Sequence, residues 1–358
     1  MKFTSQLRNV SLVLLAGFEM QPALAQSTCW VRPDNVHAMT YPLGLGTVYV
    51  PKDAKTGSVI GVFDQPFSLT SNEGRYVQCE NDGAHTLAFN AVAQAPIHAG
   101  TLPPVMGEDV NGKVFETGIS GVGAMIRLGH PFDGVAPGSF VPLTRPVVPF
   151  NALLTANVSA LPVNPLIGRV TLIKTGPILP GPQVVDTALF YGRFSLIPRT
   201  MEFQLRATVM QAQCDSSVVS DDPVKLGDWS SAHFTAPGTG TTPVTFSIRL
   251  GNCESDPGDV NIAWANIRLD GVSGSVPVPG VSGAFSLTSD STAQGVAVQI
   301  MRSDGSTPIP LGQDVPMITV SPGNTVLDMS ARYYQIEDKA QVSPGIAKGA
   351  LNFTVSYQ

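Results

Sequence analysis

Charge is scarce in this chain. Only 13% of its 358 residues are Asp, Glu, Lys or Arg, and the net charge is −6. That leaves no basic stripe for nucleic acid and no pull toward an anionic membrane. Histidine is rarer still: His37, His85, His98, His130 and His233 lie scattered, with no paired metal-ligand spacing. There is no Gly-x-Ser-x-Gly elbow and no glycine-rich phosphate loop leading into a helix. These absences argue against the common hydrolase, metalloenzyme and nucleotide-binding readings, so no enzymatic activity, metal or cofactor is expected. Amphipathic helices with capping signals at both ends are missing too. Beyond the N-terminus, no apolar run approaches the roughly 20 residues that span a bilayer.

What the chain has in quantity is turns. Gly 35 and Pro 30 punctuate it, and short alternating runs lie between the turn clusters. Gln204–Val209, Val244–Leu250, Val296–Ile300 and Leu351–Tyr357 each alternate apolar and polar residues, as half-buried strands do. The fold class expected is all-β. At about 100–200 residues per domain, the length predicts two domains.

The N-terminus reads as a secretory signal: Lys2 and Arg8 are basic, Val10–Phe18 is a short apolar run, and Ala23-Leu24-Ala25 is a small-x-small cleavage site. Residues 1–25 are therefore expected to be removed, leaving an exported chain that starts at Gln26. Export favours disulfides among the four cysteines. Several pairings are open. Pairing within each half, Cys29 with Cys79 and Cys214 with Cys253, is the simplest. Each bridge would close a loop of about 40–50 residues, worth about 3–4 kcal/mol in the loop-entropy model. The Pro/Gly-rich tract Gly176–Pro182 is followed by more strand-like sequence. The domain boundary is therefore expected near Ile197-Pro198-Arg199, giving a front domain over 26–200 and a second over 201–358.

Leu351, Phe353, Val355 and Tyr357 would line one face of a last strand, with Asn352, Thr354 and Ser356 on the other. A core-grade strand in that position is either the ordinary last strand of a finished β-sandwich or the edge of a sheet that another protein completes, and the rest of the chain favours the second. The surrounding residues bear this reading. The series runs Cys214, Val224-Lys225-Leu226-Gly227-Asp228, Phe234 and Val244 through Gly251-Asn252-Cys253. It continues with Gln294-Gly295 through Ile300, Asp304-Gly305, Ala331-Arg332-Tyr333-Tyr334, Gly345, Gly349-Ala350 and Phe353 through Gln358. In order and spacing it resembles the pilin domain of chaperone–usher fimbriae.

That resemblance implies an immunoglobulin-like sandwich lacking its final strand. A periplasmic chaperone, and then an adjacent pilin subunit, would supply the strand by β-augmentation, with passage through an outer-membrane usher. Leu351, Phe353, Val355 and Tyr357 are the implied pairing residues. Four or five apolar side chains in such a groove would bury roughly 6–15 kcal/mol gross, on the scale of a whole domain's stability. Cys29 follows the expected cleavage site so closely that no donor extension precedes it. This implies a terminal subunit at the fimbrial tip, on the cell surface.

The additional front domain resembles those of two-domain tip adhesins, a second immunoglobulin-like or jelly-roll-type sandwich that binds a host glycan or matrix protein. Arg169–Ile178 is similar to the type 3 fimbrial adhesin more than to the mannose-specific type 1 adhesin. The mannose family's N-terminal Phe is absent from Gln26-Ser27-Thr28-Cys29-Trp30. Candidate receptor loops are Trp30–His37, Asn81–His85 and Arg127–Asp133. Trp30 beside Cys29 fits core packing better, and Asn81-Asp82-Gly83 fits a turn. Arg127, His130, Phe132 and Asp133 are the candidate receptor residues, because they gather cation, ring and carboxylate among turn residues. The competing reading makes the front domain a starter of fibre assembly.

Overall fold

The computed structural model describes residues 27–33, 39–195, 197–258 and 262–358. The expected signal over 1–25, its cleavage point before Gln26, and His37 lie outside the described residues. The chain is a succession of strands. The front half contains β1 (Thr28–Arg32), β2 (Met39–Pro51), β3 (Val59–Leu69), β4 (Tyr76–Asn81), β5 (Leu87–Ala93) and β6 (Phe115–Glu116). It continues with β7 (Val122–Leu128), β8 (Val141–Pro142), β9 (Phe150–Leu154), β10 (Val158–Val163), β11 (Leu166–Lys174) and β12 (Gln183–Phe194). After β13 (Ile197–Val219) come β14 (Val244–Glu254), β15 (Trp264–Gly271), β16 (Ala284–Phe285), β17 (Val296–Arg302), β18 (Val315–Thr319), β19 (Gly323–Gln335) and β20 (Leu351–Tyr357). Helix among the described residues is limited to the 3₁₀ turns Ser231–His233 and Lys339–Gln341. The all-β expectation holds, and the four alternating runs fall inside β13, β14, β17 and β20.

Three sheets build the front half: β1-β4-β10, β3-β11-β7-β6, and a larger one in which β13-β12-β5-β9-β8 continue with β2 parallel to β13. Their inner faces share one core, where Phe89 lies close to the rings of Phe132, Phe140, Phe150 and Phe194. The C-terminal half sets β16-β17-β19-β14-β13 against β18-β15-β20. Ile248, Leu250, Leu327 and Met329 from the first sheet meet Ala265, Ile267 and Leu269 from the second. That is the two-layer packing of a β-sandwich.

The two halves share β13, a strand of 23 residues. Its first part alternates strictly: Met201, Phe203, Leu205, Ala207 and Val209 are buried in the front core, while Arg206 between them is exposed. This part pairs with β12 on one side and β2 on the other. From Gln213 onward the partner is β14. The core therefore changes hands between Val209 and Ala212, further along than the boundary expected at Met201. Sequence reasoning took Pro198 as a break. In the structure Pro198 lies inside the strand, between Ile197, which pairs with Phe194, and the run Met201–Ala212 that pairs with β2.

Each disulfide ties directly opposed residues of neighbouring strands. Cys29 faces Cys79 across β1 and β4, and Cys214 faces Cys253 across β13 and β14. The within-half pairing expected from the sequence is the one present.

Candidate functional site

Two surfaces stand out, one in each half. In the C-terminal half it is the edge of β20, which among the described residues pairs only with β15. Trp264 and Gln358 exchange both main-chain hydrogen bonds, at 2.7 and 3.1 Å. In an antiparallel ladder the outward groups then alternate, so Leu351, Phe353, Val355 and Tyr357 aim their N–H and C=O away from β15. The side chains of these same residues pack against the core. Tyr357 is buried, while Leu351, Phe353 and Val355 are half-buried. Cys214, Val219 and Phe246 are half-buried against the same core from the opposite sheet, and Leu226 from the loop after β13. The Tyr357 hydroxyl donates to the Cys214 carbonyl at 3.4 Å, so the end of β20 reaches toward β13 without pairing with it. Burial raises the Tyr357 pKa.

The outward groups of Tyr357 are already taken by the front half. Its N–H donates to Asp53 Oδ2 at 2.9 Å, and its carbonyl accepts from the Asp53 N–H at 3.0 Å. Nothing in the sequence connects residues 53 and 357; the pairing follows from how β13 carries one half onto the other.

In the front half the notable surface is a charged face on the β3-β11-β7 sheet. β7 is buried on both sides over most of its length. Val122, Ala124, Ile126 and Leu128 enter the main core, while Met125 enters a smaller cluster with Leu102, Val105, Val110 and Ile173. Arg127 is next on that outer face, where the small cluster ends. It sits directly opposite Arg169 on β11, an arrangement that repels unless neutralised. Glu108 and Asp64 neutralise it. Arg127 Nη2 donates to Glu108 Oε2 at 2.7 Å, its Nε lies 3.9 Å from Asp64 Oδ2, and Arg145 Nη1 donates to Glu108 Oε1 at 3.1 Å. Arg169 Nη1 donates to the Asp64 carbonyl at 3.1 Å. Asp64 takes a positive φ of 50°, held by its N–H donating to Thr171 Oγ1 at 2.9 Å. Three guanidinium groups against two carboxylates leave one net positive charge. The Arg145 side chain is 73% exposed, against 25% for Arg127. Lys113 pins the covering loop by donating to the Val147 and Pro149 carbonyls, and desolvation lowers its pKa.

The four candidate receptor residues do not form one site. Arg127 belongs to the charged face. His130 is exposed on the loop beyond it. Phe132 is fully buried, its ring stacked 3.9 Å from that of Phe89; it belongs to the core and is unavailable to a ligand. Asp133 accepts from the Val135 N–H at 3.1 Å, closing its own turn. A Phe between turn residues looked like a displayed ring, but it faces inward because the loop folds back over the open end of the aromatic core. The other members of the charged face, Glu108, Arg145 and Asp64, come from separated stretches, so no local pattern announced them. Asn81 is buried, its amide nitrogen donating to the His85 and Leu154 carbonyls. Asp82 is held well below the usual carboxylate range by bonds from His85, Ser27 and the Ala84 N–H. This loop is a braced turn, as its composition indicated. Trp30 is half-buried under Arg32, whose guanidinium lies 5.6 Å from the indole centroid.

Comparison with known proteins adds the following. Residues 202–358 match the family model described as fimbrial protein. The Fimbrial-like protein FimF of Salmonella typhimurium is 29% identical over 161 residues, 44% of this chain and 84% of that protein. The Fimbrial subunit type 1 of Salmonella typhimurium is 28% identical over 169 residues, 46% of this chain and 85% of that protein. Among solved structures, the CupB6 tip adhesin from Pseudomonas aeruginosa aligns over 92% of this chain and 93% of its own, with TM-score 0.36 and 16% identity. The receptor binding domain of the plasmid-born adhesin MrkD1P of Klebsiella pneumoniae aligns over 53% of this chain and 99% of its own, with TM-score 0.32 and 18% identity.

Proposed function

We propose that the chain is a two-domain fimbrial tip adhesin; the match of residues 202–358 to the family model described as fimbrial protein supports this reading. The front half, up to about Ala212, binds a host glycan or matrix protein. The C-terminal half joins the fibre by accepting a strand on β20, first from a periplasmic chaperone at the usher and then from the adjacent subunit. One observation carries the reading: a fimbrial domain with an unpaired, apolar-backed edge strand is continuous, through β13, with a second β-structure that has its own core. A fibre subunit needs only the first part, so the second is available for another task.

The charged face is the receptor surface in this reading. Arg145, Arg169 and the Glu108-braced Arg127 present fixed donors to hydroxyl or carboxylate groups, with Asp64 and Glu108 as fixed acceptors. The test is a glycan and extracellular-matrix array probed with a fragment ending at Ala212, beside its Arg145→Ala and Arg169→Ala versions. Binding that falls at least about tenfold, roughly 1.4 kcal/mol, in the variants supports the assignment. A folded fragment that binds nothing would leave the front half as an assembly element; binding unaffected by either substitution would move the receptor site elsewhere.

A further inference from the structure

The front half also acts on the open edge of the C-terminal half. The contact is built from several directions around the turn that follows β2. The Ala54 N–H donates to the Pro51 carbonyl at 3.0 Å, closing the turn. The Lys52 N–H donates to the Ala212 carbonyl at 3.2 Å, where β13 passes between the two cores. The Lys52 carbonyl accepts from Lys174 Nζ at 2.9 Å. Lys174 is itself buried at the end of β11, with its main chain bonded to Gly57 and Ser58. Asp53, at the tip, brackets Tyr357 with its carboxylate and its N–H. The turn is fixed to three strands and occupies one outward position of a fourth.

Antiparallel pairing leaves every second residue of β20 free on its outer side. Those residues are Leu351, Phe353, Val355 and Tyr357, and the last is occupied. We propose that the Lys52–Asp53 turn is a stop for strand addition: an extended, alternating apolar segment of another polypeptide pairs with Leu351, Phe353 and Val355 and ends there. The occupant is specified by the edge itself. Its free main-chain groups call for a strand, and the half-buried side chains of Leu351, Phe353 and Val355 call for apolar residues at every second position. This inference rests on the strand-accepting role proposed above and adds what sets the register there. A one-residue slip would turn the partner's apolar side chains to the solvent face. A blocked position at one end of the edge removes the slips that would run past it.

The test is amide hydrogen exchange on the full chain, with and without a synthetic alternating valine–threonine peptide about ten residues long, roughly 33 Å extended. Without peptide, the Tyr357 amide should exchange at least about tenfold more slowly than those of Phe353 and Val355. Added peptide should protect Phe353 and Val355 and leave Tyr357 unchanged. In Asp53→Ala the Tyr357 amide should lose its protection and stay unprotected when peptide is added, because the turn's main chain, with its N–H on the Tyr357 carbonyl, still covers that position. Asp53→Asn keeps an acceptor oxygen and should behave as the native chain. If peptide protects Phe353 and Val355 but Tyr357 begins unprotected in the native chain, strand addition stands and the stop falls. The stop also falls if Asp53→Ala leaves Tyr357 exchange unchanged. If peptide protects none of the three, strand addition on β20 falls and the stop with it.

Discussion

The two halves use the same local chemistry to different ends. Each has a disulfide across directly opposed strands and a core lined by alternating side chains. The front half closes on itself: Phe89, Phe132, Phe140, Phe150 and Phe194 form one buried cluster, and β13 lies between β2 and β12. The C-terminal half ends on β20 with one neighbour, and apolar side chains along that edge stay half-buried. The difference comes from a missing neighbour rather than from composition, since Leu351–Tyr357 alternates as cleanly as Met201–Val209. Whether such a strand is core or interface depends on what lies beside it.

The largest expected effect concerns the shared strand. A fragment ending at Arg199, the boundary drawn from the sequence, removes Met201, Phe203, Leu205 and Val209 from the front core. At about 1.5–3 kcal/mol per side chain that is roughly 6–12 kcal/mol, comparable to a domain's whole stability. The fragment 26–199 should fail to unfold cooperatively by circular dichroism, whereas 26–212 should melt as a single transition. A cooperative melt of the shorter fragment would move the junction back toward Met201.

Next in size, Phe353→Asp sets a carboxylate on the apolar face of β20. Once a partner strand closes over it, the unpaired charge costs several kcal/mol. The full chain should be lost from the cell surface, and receptor binding by the fragment 26–212 should be unaffected. Normal surface levels of Phe353→Asp would show that β20 is not a buried pairing element.

Phe89→Ala makes the reciprocal perturbation. Truncating a ring at the centre of the aromatic cluster should cost the front half about 3–5 kcal/mol, read as a lowered denaturant midpoint of the fragment 26–212. Protection of Phe353 and Val355 by added peptide in the full chain should be unchanged. Loss of both would mean the halves unfold as one unit.

The smallest effect is in acid. Bonds from Lys348 and Thr288 lower the Asp290 pKa, and bonds from Thr307 and Ser306 lower that of Asp304, each to about 2 from 3.8. A carboxyl with a lower pKa in the folded state stabilises fully above its unfolded pKa and progressively less as pH falls toward the folded value. The C-terminal half should therefore lose stability between about pH 4 and pH 2. Asp304→Asn should flatten that slope in an acid titration followed by tryptophan fluorescence.

Much of this was legible in the sequence. Strict alternation over Gln204–Val209, Val244–Leu250 and Leu351–Tyr357 fixes strands, because a period of two can only face one side of a pleated chain. The within-half disulfides follow from the positions of four cysteines in two halves, and the braced turn at Asn81–Asp82 from its residue types. Tertiary structure alone decided the rest. Pro198 was accommodated within β13, because residues 201–209 find partners on both flanks. Phe132 turned inward because a core lay open beneath its loop. Arg127, Arg145, Arg169, Asp64 and Glu108 became one surface, and Asp53 met Tyr357, only through strand order. Local pattern determines which face a side chain takes; which distant residue waits on that face is set by how the sheets stack, and no spacing along the chain encodes it.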